Sequence, residues 1–380
     1  MSRRVLALTT SRADYGLLRP LLRGIDDHSD LELVLVVSGT HLSPRHGYTA
    51  DEIESDGLHI AESIDLGIHS TFDSGSNAID SLAKMSLGMA QALGRWRPDV
   101  LLVLGDRYEI LAACSAALLL NVPIAHVHGG EVTNGSIDDA IRHSITKMAT
   151  LHFPVHEAYA ARLRQLGENS SDIVVIDPPV TETLHTFVPR PRQELTSVLG
   201  IELTDPVVAL SYHPVTRRGS SSLKELEALL SALNDYSELT VVVTGTNADP
   251  HATQHQELLR QFVSHRPRQR AIVASLGHTN YLSLLKVSRC VIGNSSSGMI
   301  EAPLMGVPSI SVGDRQKGRV VLPFVTQVRG NTTEIHAALD AVLANNLHQV
   351  FTPSKPNSVE RVCDALAHRS LALSKEFVDL

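Results

Sequence analysis

With 380 residues the chain exceeds what one hydrophobic core usually supports, and its 43% hydrophobic content allows two domains of ordinary size to be well packed. A formal charge of −8 without a long basic run excludes a nucleic-acid surface, so any phosphate must be met by a few placed arginines and by helix ends. Cys114, Cys290 and Cys363 are odd in number and lie in apolar contexts, which excludes a disulfide framework, and no metal-ligand spacing joins them.

Apolar runs closed by glycine or polar residues alternate with helical patterns from the start of the chain. Strands are expected at 5–8, 33–37, 100–104 and 122–127, with helices at 17–25, 79–93 and 110–120, the last so apolar that it is buried on most sides. Ser2-Arg3-Arg4 and the first apolar run are too short for a signal peptide or a membrane span, so a soluble cytoplasmic protein is expected. The cycle recurs with strands at 207–211, 239–243, 271–273, 290–292 and 309–312, and helices at 222–233, 254–263, 281–286 and 299–305. Such alternation dictates parallel sheets, and two cycles give an α/β protein of two Rossmann-like, doubly wound domains facing a cleft. The break is expected near Pro178-Pro179 and Pro189-Arg190-Pro191, giving domains of 1–185 and 186–361. A helical pattern covers 359–373, and 362–380 is free to pack back on the first domain.

Chemistry concentrates where strands end. Ser11-Arg12-Ala13-Asp14 follows the first strand and opens a helix; Arg12 reads as a phosphate or carboxylate partner and Asp14 as a helix N-terminal group, with a plain capping loop as the alternative. The strand at 100–104 runs into Gly105-Asp106-Arg107, and that at 122–127 into His128-Gly129-Gly130-Glu131. Asp138, Asp139, Arg142, His143 and Lys147 follow at near-helical spacing. This density of ionisable groups is costly in a core and belongs to the crevice at the carboxyl ends of an open α/β sheet. Asp106, Glu131 and Asp138 could share protons so that one is a base and another an acid, or could be structural ion pairs with Arg107, Arg142 or Lys147.

In the second half, His213 of Ser211-Tyr212-His213-Pro214-Val215-Thr216 closes the strand at 207–211 as a phosphate donor or an acid/base. Gly293-Asn294-Ser295-Ser296-Ser297-Gly298 offers N–H groups to a diphosphate, and Glu301 would accept ribose hydroxyls. Asp314-Arg315-Gln316-Lys317-Gly318-Arg319 adds three cations beside that loop. A helix cap and a solvated charge run are the plain alternatives.

Taken in this order, Gly105-Asp106-Arg107-Tyr108-Glu109, His128-Gly129-Gly130-Glu131, Asp138-Asp139-Ala140-Ile141-Arg142-His143 with Thr146-Lys147, Asn294 to Gly298, and Gly313-Asp314-Arg315-Gln316 closely resemble the hydrolysing UDP-N-acetylglucosamine 2-epimerases, over most of the chain. The resemblance implies a glycosyltransferase-B-like fold, no metal or other cofactor, and UDP-N-acetylglucosamine and UDP as ligands. It also implies release of N-acetylmannosamine by elimination and hydration, as the first step toward sialic acid. Carried over, Arg12, Ser295, Ser296, Glu301 and Arg315 would hold UDP, while Asp106, Arg107, Glu131, Asp138, Asp139 and His213 would surround the sugar and diphosphate. Asp14, His128, Arg142, Asn294, Ser297 and Gly298 complete the expected site. Position 128 is glutamate in some relatives, the animal enzymes included, which would move the acid to Glu131.

The same motifs fit a 2-epimerase of UDP- or GDP-linked 2,4-diacetamido-trideoxyhexose, on the route to legionaminic acid. A non-catalytic nucleotide-sugar-binding regulator is the reading from another class. The apolar helices at 79–93 and 110–120 leave room for a homodimer or homotetramer, and no nucleic-acid or membrane partner is expected.

Overall fold

In the structure, a computed structural model, residues 2–44, 47–67, 75–215, 220–244, 252–274, 276–345 and 355–379 are described. The chain divides into two units, the first made of Met1–Glu131, Ile137–Thr186 and Ser354–Leu380, the second of Val132–Ser136 and Phe187–Pro353.

In the first unit the order is β1 (Arg3–Thr9), α1 (Arg12–Asp26), β2 (Leu31–Ser38), α2 (Ala50–Ser55), β3 (Ile60–Ile64), α3 (Gly75–Trp96), β4 (Val100–Leu104), α4 (Tyr108–Leu119), β5 (Ile124–Val127), α5 (Ile137–Met148), β6 (Leu151–Phe153), α6 (Glu157–Gln165) and α7 (Val180–Thr186). The strands form one parallel sheet in the order β3-β2-β1-β4-β5-β6, with Leu6 opposite Val34 on one side and Leu101 on the other. Both faces of a parallel sheet are covered by its crossover helices, which is why β1 and β4 read as unbroken apolar runs. Leu6, Leu8, Val34, Val36, Leu101 and Val103 pack with Met85 and Met89 of α3 and with Ala113 and Ala117 of α4 in one core. Fully burying each large aliphatic contributes about 1.5–3 kcal/mol.

The second unit continues with α8 (Arg192–Leu199), β7 (Val207–Ser211), α9 (Ser220–Asn234), β8 (Thr240–Thr244), α10 (Ala252–Ser264), β9 (Arg270–Val273), α11 (His278–Val287), β10 (Cys290–Gly293), α12 (Glu301–Leu304), β11 (Ser309–Val312), β12 (Val325–Val328) and α13 (Thr332–Ala344). Its parallel sheet runs β12-β11-β10-β7-β8-β9, the same winding as the first. Leu210, Val241, Val243 and Ile292 meet Leu226, Leu229 and Leu339 in a second core. The chain then returns to the first unit as α14 (Ser358–His368), whose Val359 lies so close to Gly24 of α1 that a Cβ there would stand 2.3 Å from Val359 Cγ1.

Several elements differ from the pattern expected of the sequence. Pro178 and Pro179 lead directly into α7, and Pro191 is the N-cap of α8, so these prolines begin helices, where a missing N–H is harmless. The helix expected at 299–305 is a 3-10 turn at Ser296–Gly298 followed by the four-residue α12. The helix expected at 359–373 stops at His368. Among the described residues no helix is long and apolar enough to cross a membrane, and all three cysteines are buried free thiols.

Candidate active site

In each sheet the winding reverses direction beside its first strand, between β1 and β4 in one and between β7 and β10 in the other. At such a reversal the loops leave toward opposite faces and open a crevice at the carboxyl ends of the strands. Most of the sequence-selected groups lie on loops at these points or beside them.

After β1 the chain turns at Thr10-Ser11 into α1. Ser11 Oγ accepts from the Asp14 N–H, and the Asp14 carboxylate accepts from the Thr10 and Ser11 N–H groups and from the Thr9 and Thr10 hydroxyls, a complete capping box. His41 Nδ1 stands 2.7 Å from Thr49 Oγ1 and its Nε2 3.0 Å from Thr9 Oγ1. Burial opposes the Asp14 charge, but His41 and the two threonine hydroxyls more than offset it and hold the carboxyl below its ordinary range. Asp14 thus serves the turn itself, while Arg12, half-buried on the first turn of α1, is the residue this loop presents.

The next two strand ends carry the charge. Gly105, at φ 82°, turns β4 toward Asp106, whose carboxylate is paired with the Arg142 guanidinium from α5. The Arg142 side chain is only 2% exposed and also lies 3.8 Å from Asp139, which stands 3.9 Å from His143 Nε2. Arg107 stands at the N-cap position of α4 without a side-chain capping hydrogen bond and pairs at 3.0 Å with Glu109, which is fully buried. Between the two ends, His126 Nε2 lies 2.8 Å from the Gly105 carbonyl, which makes it the donor. Burial pushes the His126 pKa down to about 3, so it is a neutral strut between β4 and β5.

His128 follows β5 in the left-handed region at φ 65°, a conformation costing of order 1–3 kcal/mol for a non-glycine residue. Its N–H donates to Phe153 O at 3.1 Å and its Nδ1 lies 2.6 Å from Glu131 Oε1, both groups buried. Glu131 therefore accepts from Nδ1, and the buried Nε2 has no hydrogen-bond partner among the described residues. Gly130 follows at φ 80°, and a Cβ there would come within 2.5 Å of the Tyr159 carbonyl, so only glycine lets the loop return toward Glu131. Of the two readings of these carboxylates, proton sharing and structural ion pairing, the geometry includes an Asp106–Arg142 ion pair and a contact between Glu131 and the His128 imidazole. Asp138 is half-buried on the first turn of α5.

In the second unit, His213 lies two residues beyond β7 and Asn294 directly follows β10. Asn294 clamps the two ends: its Oδ1 accepts from the His213 N–H at 2.7 Å and its Nδ2 donates to the His213 carbonyl at 2.8 Å. The Asn294 carbonyl accepts from Arg315 Nη1 at 3.0 Å and Gln316 Nε2 at 2.7 Å. Gly293 precedes it at φ 139°, where a Cβ would fall 1.9 Å from the Ser211 carbonyl. Burial first, then the neighbouring Arg315 and His255, pushes the His213 pKa down to about 3, so this imidazole is neutral near pH 7.

Ser295 Oγ caps the following turn by accepting from the Ser297 N–H, Tyr281 donates to Ser297 Oγ at 2.6 Å, and Gly298 packs against Ser309. Ser295, Ser296 and Glu301 are half-buried. With α12 only four residues long, a long helix dipole does not support this loop; its Asn294, Ser297 and Gly298 N–H groups already donate to Ser211 O, Ser295 Oγ and Ser295 O, so Arg315 and the N–H groups of Ser295 and Ser296 are the donors it offers. Arg319 donates to Val132 O and Thr133 Oγ1, and the Asn134 N–H to Arg315 O, tying the stretch Val132–Ser136 into this unit. Thr216 lies outside the described residues.

Sequence reasoning gave no role to His41, whose partners Thr9 and Thr49 lie on other elements, and it quoted Glu109 and Gln316 within motifs without foreseeing their contacts with Arg107 and the Asn294 carbonyl.

A family model described as UDP-N-acetylglucosamine 2-epimerase matches residues 23–367. The chain is similar to a Campylobacter jejuni protein named GDP/UDP-N,N'-diacetylbacillosamine 2-epimerase (hydrolyzing), 32% identical over 386 aligned positions that span 100% of this chain and 99% of that protein. It is 35% identical over 319 positions to the Escherichia coli polysialic acid biosynthesis protein P7, covering 84% of this chain and 80% of the other. The fold is also that of a solved UDP-GlcNAc 2-epimerase from Neisseria meningitidis bound to UDP-GlcNAc, with a TM-score of 0.75 at 16% identity over 96% of this chain and 99% of that one.

Proposed function

The chain belongs to the UDP-N-acetylglucosamine 2-epimerase family, among its hydrolysing members, and from that premise we propose that it converts a UDP-linked 2-acetamido sugar and water into UDP and the free sugar inverted at carbon 2. The observation that carries this reading is the pairing of a buried His128–Glu131 dyad with an Asp106–Arg142 ion pair at adjacent strand ends of one sheet.

Carbon 2 of such a sugar is a very weak acid. A base can take its proton only as the carbon 1–oxygen bond to UDP breaks and positive charge develops at carbon 1. Elimination of UDP leaves a 2-acetamidoglucal; water then adds its hydroxyl at carbon 1 while carbon 2 is reprotonated from the opposite face. Two acid/base groups are needed. Glu131, by accepting from Nδ1, would fix the His128 tautomer whose Nε2 lone pair can take a proton, and the dyad would serve one face. Asp106 or Asp138 would serve the other, with Arg142 holding Asp106.

In the second unit the leaving diphosphate would be met by Arg315, the Ser295 and Ser296 N–H groups and a ring N–H of neutral His213. A donor aimed at charge that develops in the transition state is worth about 3–4 kcal/mol. Glu301 and the serine hydroxyls would take ribose hydroxyls.

Two sugars fit this chemistry. The E. coli relative supports the reading in which UDP-N-acetylglucosamine gives N-acetylmannosamine toward sialic acid, and the full-length match to the C. jejuni protein favours a 2,4-diacetamido-trideoxyhexose instead. Incubating the protein with UDP-N-acetylglucosamine and with UDP- and GDP-N,N'-diacetylbacillosamine, and following free sugar by proton NMR, separates them. Release of a 2-epimeric free sugar from one of the two UDP-linked substrates is expected, and release from the GDP-linked one alone would overturn the assignment of UDP. Conversion of none would overturn the enzymatic reading, and tight UDP binding without conversion would identify a silent binder.

A further inference from the structure

Behind the candidate active site, on the far end of α5, lies a charged cluster that the reaction does not use. Glu168, its side chain 1% exposed, accepts at Oε1 from Lys147 at 2.7 Å, while its Oε2 lies 3.0 Å from His152 Nε2 and accepts from Lys375 at 2.5 Å. Lys375 belongs to the non-helical segment after α14. Its ammonium also donates to the carbonyls of Thr146 at 2.9 Å and Ala149 at 2.6 Å, so its three protons are shared among two carbonyls at the end of α5 and one carboxylate. The segment is seated in register: the Val378 N–H donates to Gly167 O at 3.0 Å, the Phe377 ring lies against Gly167, where a Cβ would stand 2.5 Å from it, and Lys147 Nζ lies 4.8 Å from the ring centroid.

The last carbonyls of a helix have no intrahelical partner and carry the negative end of its dipole, so a cation fixed there both satisfies them and holds the helix end in place. α5 is about 18 Å long and behaves as a short rod. Its amino-terminal half bears Asp138, Asp139 and Arg142, the last paired with Asp106. We infer that Lys375, through the strap of residues 375–378, is a positioning residue for α5: it sets the axial position of the helix and thereby the placement of Asp138 and of the Arg142–Asp106 pair. The inference rests on the reading of α5 as a carrier of active-site groups.

The test compares wild type with Lys375→Met, Lys375→Arg and Phe377→Ala in the full chain. Misplacement of catalytic groups by about an ångström lowers the chemical step up to a hundredfold, so Lys375→Met is expected to lower kcat about tenfold or more. KM for the converted nucleotide sugar and UDP affinity should stay within about twofold, since the diphosphate donors are elsewhere. Lys375→Arg should restore most of kcat, and Phe377→Ala, which loosens the strap from its apolar side, should lower it by a smaller factor. Amide hydrogen exchange at residues 144–150 should quicken in Lys375→Met. Unchanged kcat, or a fall that Arg does not rescue and that KM shares, would overturn the inference. Should wild type convert no nucleotide sugar, the functional reading fails separately, and exchange at 144–150 still decides whether Lys375 fixes the helix: unchanged exchange would refute it.

Discussion

The first sheet ends β4 and β5 in Asp106, Arg107, His128 and Glu131, each charged group held by an opposite charge or an imidazole from its own unit. The second, wound in the same order, ends β7 and β10 in a neutral histidine, an asparagine and a run of serines, with the Asn294 side chain spent on holding the two strand ends together. Of these strands β4 and β10 hold equivalent places in the two windings, and their ends carry an acid in one sheet and an amide in the other. The winding dictates where a crevice forms, and the side chains at the strand ends dictate whether it moves protons or binds an anion.

This contrast breaks if substitutions in the two sheets give the same phenotype. The largest effect is expected for Asp106→Asn. It removes the carboxylate paired with the buried Arg142 guanidinium, and should cost about 3 kcal/mol in urea denaturation and lower turnover by about 10²–10⁴-fold. Glu131→Gln removes the acceptor that orients His128; turnover should fall about 10²-fold or more while UDP affinity by calorimetry stays within about twofold. Asn294→Ala should do the reverse. It unties His213 from the loop and should weaken UDP binding about tenfold, at a stability cost of about 1–3 kcal/mol from unpaired backbone groups.

The smallest effect sharpens the contrast through acid. Burial opposes the Glu168 charge, but His152, Lys147 and Lys375 more than offset it and hold its pKa at about 2 against an ordinary 4.5. A folded pKa below the unfolded one means stability that is full above about 4.5 and is lost as pH falls from there toward about 2. Glu168→Gln should flatten that part of the stability profile, read by denaturant titration at a series of pH values, and leave the profile at neutral pH without slope from this group.

Much of this was legible in the sequence because the central strands are apolar throughout and their last residues are polar. β3, β6 and β12 were not read: Ile60–Ile64 and Val325–Val328 mix polar and apolar residues as edge strands do, and Leu151–Phe153 is three residues long, so each exists because a neighbour offers it a ladder. The strand-end groups could be selected, but not their partners. That Asn294 would clamp His213, or Glu131 orient His128, depends on side-chain directions that spacing does not carry. Asp14 reads in sequence as a group at a helix start and proves to be the cap of its own loop. The strap from Lys375 to α5 joins segments more than 200 residues apart and left no local pattern at all.

The most direct test of the central claim, that groups at the first sheet's strand ends break the carbon 2–hydrogen bond as UDP leaves, is turnover in heavy water. Complete incorporation of one deuterium at carbon 2 of the released sugar, abolished together with turnover in Glu131→Gln, is the predicted result. A free sugar that carries no deuterium at carbon 2 would contradict it.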